Sequence, residues 1–292
     1  MAPHRELADR YESGAYARGL GVRVASVTDG VVRLVLPFAE GNSNPGGALH
    51  GGVAASLVLI GAAAVAEAGS DAAAAERSTV DASIAYLAAA INEGVVAEAR
   101  VLRRGKELTF VEVDVRTDAG KPIARGLAAR RLAPATPSER VQNAQASVRT
   151  ASDSPPPGFT KIFTAAPFMA RLGLEVVRVA RGEAVVRLPW RAANADHDGT
   201  LHEGALAALA DTTGAMASWS LVPLDARNKA STPVVHANVQ RAVRDEGVLA
   251  EARTVARRDE TFTNAVTLVG ETSGTVVASA TVTYRIVVPR AG

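Results

Sequence analysis

The sequence of 292 residues contains no cysteine. That absence removes disulfides, thiolate metal sites and every mechanism built on a cysteine nucleophile. Aromatic residues are scarce, at 4%, so the core must be built from small side chains in close contact. There is no excess of one charge either: the net charge is +2, both signs are interspersed, and arginine far outnumbers lysine. No basic stripe is dense enough to grip a phosphate backbone, so nucleic acid is not an expected partner. Residues 1–13 carry charges throughout and have no apolar run of the length a secretory signal uses. The longest apolar stretch, residues 53–66, falls short of the ~20 residues of a membrane span. These absences lead to the expectation of a soluble, cytoplasmic protein with no membrane partner.

Several catalytic signatures are missing as well. There is no Gly-x-Ser-x-Gly elbow, no phosphate-binding Walker loop and no Gly-x-Gly-x-x-Gly after a strand, and His202-Glu203 lacks the second histidine of a zinc-binding helix. No cofactor and no metal are expected.

What is present is a folded composition, 48% apolar and 21% charged, with 59 alanines. The length fits one large domain or two of ordinary size, and an internal repeat decides between them. Residues 21–52 align without a gap on residues 173–204 at an offset of 152. The segment EGVVAEARVLRRGKELTF then faces EGVLAEARTVARRDETFT at an offset of 153, and residues 120–129 face 274–283 at 154. Two copies of one domain are therefore expected, at residues 1–132 and 159–292. Between them, residues 133–158 are rich in Pro, Ser and Thr without an apolar period, as a linker would be.

Each copy follows the same plan. A short apolar segment (residues 16–20; 168–172) leads to two alternating β-runs around a Gly turn (22–27 and 31–36; 174–179 and 184–188). A polar loop ending in His-x-Gly comes next, followed by a long stretch that is apolar nearly all round, the pattern of a helix buried on every side. Further β-runs close each copy, near residues 79–86, 94–102, 109–115 and 123–132, and near 232–240, 247–255, 261–269 and 276–287. The expected class is α+β, one buried helix per copy wrapped by an antiparallel sheet.

The order strand, strand, Asn-x5-His-Gly-Gly, helix, four strands resembles the hotdog fold, and specifically the PaaI-like (phenylacetyl-CoA type) acyl-CoA thioesterases. The resemblance covers both copies and implies a tandem double hotdog, folded as a pseudo-dimer. The family pattern is matched by Asn44, by His50-Gly51-Gly52 and by Thr79 before Val80-Asp81. It also asks for an acid nine positions after the histidine, and there the copies diverge. Copy one has Leu59 in the acid column; copy two has Asp211 there and His202 in the histidine column, but Asp196 replaces the Asn and Glu203 the first Gly. In the Ser/Thr column, copy two is read as Val234, with Thr232 two residues earlier on the same strand face as the candidate replacement.

Nine residues of helix rise roughly 13 Å and turn two and a half times, so the histidine and the acid of one copy cannot easily share a site. A site must join the histidine end of one copy to the mid-helix acid of the other. One set is then Asn44, His50, Gly51 and Asp211, with Thr232 beside them and Gly52 against the substrate. The other is Asp196, His202, Leu59 and Thr79, read as lacking its carboxylate and inactive. The resemblance implies an acyl-CoA substrate, with coenzyme A entering only as part of it. Free N–H groups at Gly51 would polarise a thioester carbonyl. Asp211 would act as general base or nucleophile, Asn44 would hold water, and His50 would fix the loop or the sulfur side.

Plainer readings stand beside these. Asp211 could be a paired structural carboxylate, and the histidines could simply cap their helices. His197, His202, Asp196 and Asp198 could ligate a metal, although the resemblance already explains that loop. Arg103, Arg104 and Lys106 could bind coenzyme A phosphates or simply be solvated. Two other functions use the same features: an enoyl-CoA hydratase or dehydratase on the same fold, and a non-catalytic acyl-CoA-binding or sensing module. Single-domain relatives resemble dimers of dimers, so a homodimer of double-hotdog chains is expected.

Overall fold

The computed structural model describes residues 2–28, 30–68, 77–132, 166–225 and 227–289. The expected linker, residues 133–158, lies outside the described residues. Copy one contains α1 (Ala2–Ser13), α2 (Ala15–Leu20), β1 (Arg23–Thr28), β2 (Val31–Leu36), a 3-10 turn at Glu40–Asn42, α3 (Gly51–Ala68), β3 (Arg77–Tyr86), β4 (Val95–Arg104), β5 (Leu108–Thr117) and β6 (Pro122–Leu132). Copy two repeats it with α4 (Pro167–Leu172), β7 (Glu175–Ala180), β8 (Glu183–Leu188), a 3-10 turn at Ala192–Asn194, α5 (Glu203–Trp219), β9 (Lys229–Val239), β10 (Val248–Arg258), β11 (Thr261–Gly270) and β12 (Val276–Val287).

All twelve strands form one sheet, in the order β1-β2-β4-β5-β6-β3-β9-β12-β11-β10-β8-β7. Each half has the same internal order, reversed. The halves join where β3 pairs antiparallel with β9, from Ala82↔Ala237 to Ala85↔Val234, so a pseudo-twofold axis passes through that junction. Burial alternates along β4 and β5, as it must when one face of a sheet covers helices and the other faces solvent. The tandem hotdog architecture expected from the repeat is the one observed.

On length and composition alone α3, with a mean hydropathy of 1.8, could cross a membrane, but 78% of it is buried inside the protein. It packs mainly against the sheet and α5. Small residues make this packing possible. A Cβ on Gly126 of β6 would stand 2.2 Å from Val58 Cγ1, so sheet and helix touch where no side chain intervenes. The helices cross in the same way: a Cβ on Gly52 would lie 2.5 Å from that of Ala208, and one on Gly204 would lie 2.4 Å from Ser56 Oγ. The alanine and glycine surplus is spent on these contacts, which interior packing density requires.

One helix was not expected. The charges of residues 1–13 conceal an amphipathic pair at i,i+4: Leu7 is buried, and Tyr11 packs against the core while its hydroxyl donates to Glu67 Oε2 at 2.7 Å. Arg10 forms an ion pair with the same glutamate. α1 is thereby fastened to the far end of α3.

Candidate functional site

Each histidine caps the helix it precedes. His50 Nδ1 accepts the N–H of Gly52 at 3.0 Å, and His202 Nδ1 accepts that of Gly204 at 2.9 Å, satisfying helix N–H groups that have no intrahelical acceptor. Each ring also rests on the short helix of the opposite copy. His50 faces Phe168 of α4 with ring centroids 4.9 Å apart, and His202 stacks on Tyr16 of α2 at 4.5 Å. Burial lowers His50 to a pKa of about 4, so near neutral pH it is uncharged and Nδ1 can accept. The imidazole proton is then assigned to Nε2 from that hydrogen bond.

The two copies meet at Gly51 and Asp211. Asp211 is the ninth residue of α5 and only 6% exposed. Its Oδ1 accepts the Thr232 hydroxyl at 2.7 Å. Its Oδ2 lies 3.2 Å from the point where a Cβ on Gly51, the first residue of α3, would stand. Burial raises the Asp211 pKa from 3.8 to about 6, against the opposing pull of the Thr232 hydrogen bond. A carboxylate poised near neutrality thus faces the N-terminus of a buried helix in the other copy. The one-helix geometry had required such a cross-copy pairing.

The Thr column needs correction. β3 shifts register between Thr79 and Asp81, and β12 against β9 shifts between Thr283 and Arg285. Asp81 pairs with Ala129 and Val234 with Thr283, so Val234 corresponds to Asp81, and Thr232 corresponds to Thr79. The column is intact in both copies, at an offset of 153 that the equivalent strand pairings share.

Asn44 is placed otherwise than expected. Its Oδ1 accepts the N–H groups of Gly46 at 2.8 Å and Ala48 at 3.1 Å, which closes the loop before His50. Its repeat equivalent Asp196 does similar work: Oδ1 accepts the His197 N–H at 2.7 Å and lies 2.9 Å from His197 Nδ1. Burial opposes ionisation of Asp196, but His202 and the His197 contacts outweigh it and hold the carboxyl below its ordinary range.

The second set of residues does not lack a carboxylate. Leu59 occupies the acid column and is buried, yet Glu203, which stands where copy one has Gly51, reaches back across the interface. Its Oε1 accepts the Thr79 N–H at 2.8 Å and its Oε2 accepts the Thr79 hydroxyl at 2.5 Å. Arg130 Nη1 donates to the same Oε2 at 2.6 Å and also to the Thr79 hydroxyl. Burial alone would lift the Glu203 pKa, but Arg130, the Thr79 donors and His202 hold it below the usual carboxylate value. The carboxylate has been replaced from another column and then neutralised by an arginine.

A cleft of about 670 Å³ opens at this second set, bordered by Leu59, His202, Glu203, Arg130 and Asp196 and walled by Arg10 and Tyr11 of α1. It lies at the interface that lacks the acid-column carboxylate. The residues one repeat after α1, 154–165, lie outside the described residues.

The hairpin charges lie away from Gly51. Arg104 Nη1 donates to the Ala66 carbonyl at 2.7 Å, capping the C-terminal end of α3, ~20 Å along the helix from Gly51. Arg103 and Lys106 are exposed on the same hairpin. The structure therefore does not bring these three to the Gly51–Asp211 pair, because the β4–β5 turn sits at the opposite end of the helix.

Two nearby residues had escaped the sequence reading. Arg130 answers to Tyr284 in the repeat, and Tyr86 answers to Val239. Both were legible only as mismatched columns, since neither belongs to the motif. Tyr86 Cε1 lies 3.4 Å from the same Gly51 Cβ position, and its buried hydroxyl has no hydrogen-bond partner among the described residues.

A family model described as the acyl-CoA thioesterase N-terminal domain matches residues 39–131, and one described as a domain of unknown function matches residues 158–286. The chain is 36% identical over 117 residues to acyl-coenzyme A thioesterase 13 of Homo sapiens, covering 38% of this chain and 80% of that protein. It is 38% identical over 104 residues to a candidate esterase of Halobacterium salinarum, covering 34% of this chain and 68% of that protein. A solved structure of a candidate thioesterase II from Thermobifida fusca superposes with a TM-score of 0.65 at 19% identity, over 96% of this chain and 98% of that one. The last likeness is one of fold, and it spans both repeats.

Proposed function

Because the chain belongs to the hotdog-fold acyl-CoA thioesterase family, we propose that it hydrolyses an acyl-CoA thioester to a carboxylic acid and free coenzyme A at one composite site between its repeats. The observation that carries this reading is the Asp211 carboxylate lying over Gly51. Each repeat supplies one half of the chemistry.

Asp211 acts as the general base. Thr232 holds Oδ1 and leaves Oδ2 to take a proton from water, whose oxygen bonds to the thioester carbonyl carbon. Negative charge moves to the carbonyl oxygen, where the Gly51 N–H and the positive end of α3 stabilise it. When the carbonyl re-forms, the C–S bond breaks and the sulfur leaves with the electron pair, taking up the proton to give the free thiol. The absence of a side chain on Gly51 lets the substrate reach the helix end. His50 caps α3 and keeps its first turn in place. Attack by Asp211 itself is the alternative course, and a single turnover in ¹⁸O-water separates the two. The first acid released lacks ¹⁸O if Asp211 attacks and water then opens the resulting anhydride at the Asp211 carboxyl carbon, and carries it if water attacks the thioester directly.

The second set of residues has its carboxylate tied to Arg130 and Thr79, and we assign it no hydrolysis. The assembly expected is a homodimer, and the exposed side chains of Phe110 and Leu127 on neighbouring strands of the outer sheet face support it.

The test is thiol release from a panel of acyl-CoAs. Asp211→Asn should lower turnover at least ~100-fold, whereas Asp196→Ala and Leu59→Ala should leave it nearly unchanged. Undiminished turnover in Asp211→Asn removes the assignment. Loss of enoyl absorbance without thiol release identifies a hydratase instead.

A further inference from the structure

Tyr86 is the last residue of β3, at the seam between the repeats. Its ring lies against Gly51, with Cε1 3.4 Å and Cζ 3.6 Å from the point where a Cβ would stand. Asp211 Oδ2 borders that same point at 3.2 Å. The phenol oxygen, one bond beyond Cζ, is buried and makes no hydrogen bond to Asp211, to Thr232 or to any other described residue. Proteins rarely keep a buried hydroxyl without a partner, because the lost hydration is not recovered. Two side chains therefore border the same point beside the first residue of α3: a carboxylate oxygen that can only accept, and a phenol whose proton is uncommitted.

Chemical logic allots the phenol its role. A thioester carbonyl seated over Gly51 presents an oxygen that needs donors, and it gains charge as water adds. Asp211 cannot supply a donor when it is the base. We propose that Tyr86 is a further catalytic residue, donating its phenol proton as a hydrogen bond to the thioester carbonyl oxygen alongside the Gly51 N–H. No proton is transferred; the phenol remains neutral throughout. Burial first and the Asp211 charge second push its pKa well above 10, which keeps it a donor through the whole working range. The pseudo-symmetric position holds Val239, so only one of the two repeat interfaces has this donor, and it is the one that also has Asp211 and Gly51.

The inference rests on the thioesterase reading, and its test separates the two. Tyr86→Phe and Tyr86→Val, the latter copying Val239, are compared with Asp211→Asn for kcat, KM and thermal midpoint on one acyl-CoA that the wild type hydrolyses. Tyr86→Phe should lower kcat by about 100-fold with KM changed less than threefold, and its melting midpoint should be no lower than wild type, since no hydrogen bond of the free protein is lost. Tyr86→Val should lower kcat at least as much. If Tyr86→Phe keeps kcat within twofold of wild type while Asp211→Asn is inactive, the tyrosine assignment is overturned and the base assignment stands. If Tyr86→Phe loses kcat while Asp211→Asn keeps it, the tyrosine stands and the role of Asp211 falls. A drop in KM performance alone, with kcat intact, also overturns the proposal.

Discussion

Glu203 accepts the hydroxyl of Thr79 at 2.5 Å across the repeat interface, reproducing with another side chain the 2.7 Å bond between Thr232 and Asp211. The two interfaces thus hold equivalent carboxylates in opposite electrostatic states. Asp211 has a hydroxyl as its polar partner and is lifted by burial; Glu203 has Arg130 and is held ionised. That difference in charge pairing, more than the presence or absence of an acid, separates the two sites.

Arg130 is 4% exposed and is ion-paired with Glu203. Removing either member alone strands a buried charge, which costs about 3–5 kcal/mol. Arg130→Met and Glu203→Gln should therefore each destabilise the fold in urea titrations, Glu203→Gln somewhat less because it is more exposed and keeps its bonding shape. The double variant should be more stable than the sum of the singles implies, by at least ~1 kcal/mol. Simple additivity in that cycle would show that the pair is not coupled. Hydrolysis at the other interface should persist in every folded variant.

Asp211 is kept where it costs stability. In the unfolded chain it titrates near 3.8 and in the folded chain near 6. Between those values the folded protein holds more protons than the unfolded one, so this group's contribution to stability falls as pH rises from about 4 to 6. The shift is worth about 3 kcal/mol once pH exceeds 6. Asp211→Asn keeps the shape and an acceptor for Thr232 but cannot ionise. It should match wild-type stability near pH 4 and exceed it at pH 8, by up to about 3 kcal/mol in denaturant titrations. A variant that is less stable than wild type at pH 8 would point to a structural role for the carboxylate.

The same titration sets the rate profile. A base works only when deprotonated, so log kcat/KM should climb with slope one below an apparent pKa of about 6 and level off above it. His50, already neutral with a pKa of about 4, adds no second rise above pH 5. Profiles are to be taken from pH 4.5 to 8.5 by thiol release. A flat profile down to pH 4.5 would remove Asp211 as the titrating base.

The repeat, the buried helices and the cross-copy pairing of Gly51 with Asp211 could be read in the sequence because they follow from spacing. An offset of 152 aligns two chains of motif residues, and helix periodicity forbids His50 and Leu59 from sharing a site. Other features depend on what lies across a packed interface, and spacing is silent there. Glu203 was visible as a glycine replaced, but its partners Thr79 and Arg130 are 124 and 73 positions away. Thr232 falls in the Thr79 column at an offset of 153, but the ungapped alignments stop at residue 52 and resume at 93 with different offsets, so only the strand pairing fixes the register between them. α1 was missed because its apolar face amounts to little more than Leu7 and Tyr11 among charges.

Gly51 carries the sharpest structural demand. A Cβ there would stand 3.2 Å from Asp211 Oδ2 and 3.4 Å from Tyr86 Cε1, distances tight enough to need a small shift yet compatible with folding. Gly51→Ala adds a good helix former at the first position of α3, so stability should change by less than ~1 kcal/mol in either direction. Catalysis should respond differently, because the methyl occupies the space through which the thioester carbonyl approaches the helix end. Turnover should fall at least ~100-fold while circular dichroism and melting stay near wild type. Alanine at Gly204, the helix-crossing glycine of copy two, should do the reverse. Its Cβ would meet Ser56 Oγ at 2.4 Å, forcing α3 and α5 apart, and the cost belongs to stability, about 1–3 kcal/mol. Equal losses of activity per unit of lost stability in the two variants would mean that Gly51 serves packing alone.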